Sequence, residues 1–151
     1  NSLQFAIFRL RRKIIADFPQ RPIHKTVGHN LNQMDLILEN LQQSEGSFCE
    51  KLNQDGDFDQ RLFAELILHI DGLNSRDLTE TERLRTSSKL WELAYRIQSS
   101  LGYNYNQNDI FKIVNMDGEK LVEIGQVLEY ICKSFSEGKQ FDMDFIHEMT
   151  K

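Results

Sequence analysis

Four histidines, His24, His29, His69 and His147, are the side chains best suited to hold a transition metal, and their spacing gives zinc no foothold. His24 and His29 stand five residues apart, whereas two ligands align on one helical face at a separation of about four. Neither a His-Glu-x-x-His run nor paired Glu-x-x-His segments occur. The segment Asn53 to Asp59 alternates oxygen-bearing residues around Gly56 in the manner of a calcium-binding loop. With Gly56 at the sixth position of such a loop, however, Lys51 falls at the first and Leu62 at the twelfth, where calcium needs an aspartate and a bidentate carboxylate. The sequence therefore predicts an acidic turn that caps a helix. Glu65, Asp71, Glu92 and Glu129 fall beside apolar positions on predicted helices, and a solvated face is their expected setting rather than acid–base work. The nucleophile elbow Gly-x-Ser-x-Gly and the phosphate loop are both absent from the sequence. No catalytic residue, metal or cofactor is expected.

The stretch Gly28-His29-Asn30-Leu31-Asn32-Gln33-Met34 resembles the H-box of sensor histidine kinases. There, a helical histidine accepts a phosphoryl group and is followed by an acid, an apolar residue and a polar pair. The resemblance covers seven of the 151 residues, and Asn30 stands where the family carries the acid that assists transfer. It implies a phosphotransfer bundle with His29 as phosphoacceptor, and not a kinase, because no Gly-rich nucleotide segment follows. The local pattern competes with it: Gly28 and Asn30 favour a helix beginning near residue 31, leaving His29 in the turn before it. Seven residues separate Arg61 from His69, outside the spacing of HEPN-type ribonucleases, in which four to six residues lie between the arginine and the histidine.

Charge is unevenly distributed. Residues 1–30 hold six Lys or Arg against the single acid Asp17, a net +5, which leaves 12 basic against 22 acidic residues from 31 onward, a net −10. Arg9, Arg12 and Lys13 share one face of the first predicted helix, with Arg11 pointing elsewhere. At the other end Phe141, Phe145 and Met149 form an apolar tail. These six residues are the candidate partner-binding positions. The expected function is a non-catalytic helical interaction or regulatory module, an adaptor or an inhibitory partner of another protein. Phosphotransfer through His29 and nucleic-acid binding through the basic first helix are the alternatives, the latter disfavoured by the overall charge of −5.

The elements that would position these groups are almost all helical. Leu3, Ile7, Leu10, Ile14 and Phe18 predict a first helix over 2–18, stopped by Pro19 and Pro22. Leu31, Met34, Leu38 and Leu41 predict a second to about Gln43, followed by a short helical segment around Phe48 and Leu52. Asp57 with Gln60 marks the start of a third, striped by Leu62, Phe63, Leu66, Ile67 and Ile70 and ending near Gly72. Thr79 with Glu82 is a capping box for a fourth, striped by Leu90, Ala94, Ile97 and Leu101, widened by Trp91 and Tyr95, and closed at Gly102. Asn108 is placed to cap a short helix through Ile110, Phe111 and Val114. Asp117 then opens a long helix whose Leu121, Ile124, Leu128, Ile131 and Phe135 follow a seven-residue repeat up to Gly138. Residues 139–151 are expected to form a docked C-terminal helix. The sum is an all-α, single-domain bundle over 1–151 of about five to seven helices, four or more of them long. Starting at Asn1, the chain reads as excised from something longer. Two cysteines in no ligand spacing favour free thiols and a reducing, cytoplasmic setting, and no apolar run is long enough to span a bilayer.

Overall fold

The computed structural model describes residues 35–108 and 110–150, which belong to one compact unit of the chain. The helix predicted over 2–18, with Arg9, Arg12 and Lys13, and the segment bearing His29 lie outside the described residues. Within them the fold is all-α, a helical bundle with six helices and no strand. In chain order these are α1 (Asp35–Gln42), α2 (Phe48–Asp55), α3 (Gln60–Asn74), α4 (Glu80–Tyr103), α5 (Gly118–Ser136) and α6 (Met143–Thr150). Three of them, α3, α4 and α5, exceed two turns by a wide margin; the other three have eight residues each.

α4 is the axis of the unit. It packs most extensively on α5 and also meets α1 and α2, while α6 lies on α5 and α2 lies between α1 and α3. Its Leu90, Leu93, Ala94, Ile97 and Leu101 face Leu121, Ile124, Val127, Leu128, Ile131 and Phe135 of α5 in one continuous core. An alternation of three- and four-residue steps on both helices puts these side chains on facing stripes. At the α2–α3 corner three rings pack against one another: Phe48, Phe58 and Phe63 have centroids 5.0 to 5.2 Å apart, in edge or tilted geometry that suits the ring quadrupoles.

Each start signal that the structure uses has a hydrogen bond behind it. Thr79 and Glu82 form the full capping box. Asp117 accepts from the Lys120 N–H at 2.8 Å, and Ser47 accepts from the Glu50 N–H at 3.2 Å, so the Phe48 segment is a helix of its own. The cap of α3 is Asp59 and not Asp57: its Oδ1 accepts from the Leu62 N–H at 3.0 Å while Oδ2 takes the Lys51 ammonium at 2.8 Å. Asp57 is occupied elsewhere, accepting from Asn115 Nδ2 at 2.7 Å. Burial works against ionising Asp59, yet the Lys51 ion pair, the Leu62 N–H and nearby Arg61 outweigh it and hold the carboxyl below its usual range.

Several expected boundaries move. α3 continues past Gly72 to Asn74, because Leu73 and Asn74 are buried and the turn is closed by the Ser75 N–H on Asp71 O. α4 passes Gly102 and ends at Tyr103. The helix expected after Asn108 is not formed. Instead Ile113 donates its N–H to Asn104 Oδ1, Val114 donates to Gly56 O, and Asn115 bonds the backbone of Phe58, so polar side chains hold 110–117 in an irregular path. Trp91 and Tyr95 do not widen the core stripe of α4; Leu93 and Ser100 widen it on its other flank. In a helix with about 100° per residue, positions 91 and 95 each lie one step beyond 90 and 94, away from the core.

Left-handed backbone occurs at Gln43, Gly46, Gly56 and Gly138, and two of these positions bear most on stability. Gly56 has φ +63°, and a Cβ there would run into the carbonyl oxygen of Lys112. Gln43 has φ +52° and occupies the position after α1 that glycine usually takes, with Ser44 N–H returning to Glu39 O and Gln43 N–H to Asn40 O. Gly56→Ala is therefore expected to cost at least about 2 kcal/mol, combining left-handed strain with a backbone clash. Gln43→Gly should instead stabilise the fold by roughly 0.5 kcal/mol, relieving strain at the expense of unfolded-chain entropy. Urea unfolding of both variants against wild type measures each difference.

Candidate interaction surface

The residues singled out for partner binding separate into three settings. Arg9, Arg12, Lys13 and His29 lie outside the described residues. Phe141 is buried in the core ahead of α6, and Met149 packs half-buried against it. Phe145 stands edge-on to Tyr130 with centroids 5.1 Å apart, and the buried residue within α6 is Ile146. Asp142 starts this helix: its Oδ1 accepts from the Phe145 N–H at 3.0 Å and its own N–H donates to the Tyr130 hydroxyl at 2.8 Å. The tail is thus docked on the body, and most of its apolar surface is used there.

Of the carboxylates expected on solvated helical faces, Glu65 and Glu129 are exposed and Glu92 is half-buried. Glu65 pairs with Arg61 at 2.7 Å on α3, and Glu92 lies between Lys89 at 3.3 Å and Arg96 at 2.9 Å on α4. The Lys89 ammonium, with Arg96 beyond it, holds Glu92 below the usual carboxylate range. Glu129 is exposed on α5. Among the described residues no group of three His, Cys, Asp or Glu is placed to hold a metal ion. Arg61 and His69 both lie on α3, two turns apart. The acidic turn 55–59 is committed to Lys51, Asn115 and the start of α3.

Besides Val122 on α5 and Phe145 on α6, the exposed large apolar side chains among the described residues lie in two places. The first is the outer arc of α4, where Leu84, Trp91 and Tyr95 are 72, 45 and 71% exposed. The second is the loop from α4 to α5. Tyr103, Tyr105, Ile110 and Val114 are exposed there, Ile110 almost completely at 99%. The loop's two arms lie side by side: Lys112 Nζ donates to the carbonyls of Asn104 and Asn106, and Asn104 Oδ1 receives the Ile113 N–H. Tyr105 reaches across to donate its hydroxyl hydrogen to Gly118 O, and Val114 is tied to Gly56 O. An apolar display is thereby fixed on a polar frame, with Ile113 as its buried anchor. The repeat of 84, 91 and 95 on the far side of α4 is visible in the sequence as a second apolar stripe. The frame of the loop carries no local sequence signal, because its partners lie up to 58 residues away.

Among the described residues no helix is long and apolar enough to cross a membrane. No protein-family model matches the chain, and neither a curated protein nor a solved structure matches it significantly. The class that the fold defines is an all-α protein.

Cys49 and Cys132 are both buried free thiols, and burial pushes each up to about 12, slightly opposed at Cys49 by Arg96. A folded-state value above the ordinary 9.0 means the folded protein holds the thiol protons more tightly. Their contribution to stability is full below pH 9 and is lost as pH rises from there toward about 12. At pH 8 both thiols should resist alkylation in the native protein and react at once in urea, which a mass-shift assay with iodoacetamide reads directly.

Proposed function

We propose that the chain is a non-catalytic helical interaction module, an adaptor or a neutralising partner, that engages another protein through its loop between α4 and α5. The observation that carries this reading is the exposure of Tyr103 at the end of α4 and of Tyr105, Ile110 and Val114 on the loop after it, whose arms are joined by Asn104 and Lys112 and which Asn115 and Val114 tie to Phe58 and Gly56 of the body. So exposed, Ile110 and Val114 add little to the isolated fold, whereas fixing them in advance lowers the ordering cost of binding. Tyrosine beside aliphatic groups is the composition of interface centres. The net −10 from residue 31 onward favours a basic partner, with charge speeding encounter and the apolar loop supplying adhesion.

Ile110→Asp combined with Val114→Asp tests the reading, since both side chains point to solvent and the variant keeps its fold. Quantitative affinity capture from the native host should recover a protein with the wild-type chain that falls at least about tenfold with the variant, a loss of 1.4 kcal/mol. Equal recovery with both chains would overturn the assignment of this loop.

A further inference from the structure

The outer arc of α4 carries a pattern that the loop reading leaves unused. Thr81, Leu84, Ser88, Trp91, Tyr95, Gln98 and Gly102 follow one another at alternating steps of three and four residues, the a/d seam of a coiled coil, on the side of the helix turned away from the core. Leu84, Trp91 and Tyr95 fall within an arc of about 40° and span about 16 Å of the helix. Along one flank of the seam, Arg85 and Glu92 occupy equivalent positions one heptad apart, and both sit at the edge of the exposed arc. Gln98 bonds Gly125 O of α5 at 3.1 Å, so the open part of the seam is its first five positions, residues 81–95.

We infer that this arc is the contact between two copies of the chain, their α4 helices antiparallel about a two-fold axis between Ser88 and Lys89. In that register residue i lies level with residue 177 − i of the second copy. Along the seam the order becomes Tyr95, the second copy's Leu84, Trp91, the two Ser88 residues, then the same sequence reversed, at intervals of about 3 Å apart from the serine pair. Each bulky side chain falls into a gap between two from the other copy, and the small Ser88 pair lets the helices approach at the axis. The same operation sets Arg85 level with Glu92 of the second copy on the same flank, twice. A parallel pairing would instead align Trp91 with Trp91 and Arg85 with Arg85. Glu92 is already held between Lys89 and Arg96, so its carboxylate is fixed in place to receive the incoming guanidinium. The surface involved is smaller than a standard interface, and a dissociation constant on the order of 10 µM is expected.

Sedimentation equilibrium of the full chain, with helix content checked by circular dichroism, tests both the pairing and its register. Wild type should pass from monomer to dimer over about 1–100 µM, and Trp91→Ala should weaken the dimer at least about thirtyfold. Arg85→Glu and Glu92→Arg should each weaken it alone, because like charges then meet across the axis. An equimolar mixture of these two single variants should dimerise at least about tenfold more tightly than either alone, since the mixed pair restores both ion pairs. A monomer throughout the range overturns the proposal. So does a dimer indifferent to Trp91→Ala, or one in which the mixture is no better than its components. A photo-reactive leucine at position 84 that cross-links a different protein in preference to a second copy overturns it too, while leaving the loop reading standing.

Discussion

A helix of 24 residues packed against one side of a small bundle can turn only part of its circumference inward. The constraint on α4 organises everything else. Its inner stripe receives α1, α2 and α5, and what these neighbours do not reach faces outward whatever its chemistry. Leu84, Trp91 and Tyr95 lie on that remaining arc. An exposed tryptophan halfway along a well-capped helix is held by the core behind it, so its position is rigid though its surface is open.

Apolar burial draws these helices together, and a few polar side chains decide how their ends meet. The Arg83 guanidinium donates to Asn74 Oδ1 at 3.1 Å and to Phe135 O at 2.9 Å, and lies 5.3 Å from the centroid of the Phe135 ring. Asn74 in turn donates to Lys139 O at 2.7 Å, so the ends of α3 and α5 are joined to the start of α4. Asn40 plays the same part between α1 and α2, accepting the Cys49 N–H while donating to Leu36 O. The open carbonyls and N–H groups of helix ends must find partners when buried, and each of these side chains meets that demand across a joint. Methyl groups tolerate sliding; these bonds do not.

Helix existence was legible in the sequence because periodicity and caps are local. Thr79 with Glu82, Asp117 and Gly138 are end signals whose partners lie within a few residues, and the stripe Leu121, Ile124, Leu128, Ile131 and Phe135 is buried as its spacing implies. The choices that failed were made by distant residues. Asp57 and Asp59 are equally good caps by type, and Lys51 and Asn115 settle which one serves. Asn108 is an acceptable cap too, but Gly56 and Phe58 draw the following residues into loop contacts instead. Gln43 adopts a left-handed conformation that its side chain does not advertise. For the surface, type and spacing identified aromatic residues on α4 but not which side of the helix they occupy, because Trp91 and Leu90 are adjacent and only packing tells them apart.

The attachment of α6 differs in kind from that of the other short helices. α1 and α2 are each gripped by several neighbours, whereas α6 rests chiefly on α5, through Phe141, Ile146 and the Tyr130–Phe145 pair. A helix of eight residues has almost no stability of its own in water, so its order is borrowed from that one contact. Detaching it breaks few bonds and leaves the joint at Arg83 and the α4–α5 core in place. The described fold therefore has two levels of cooperativity: a body that melts as a whole, and a terminal segment that can open and close while the body stays native.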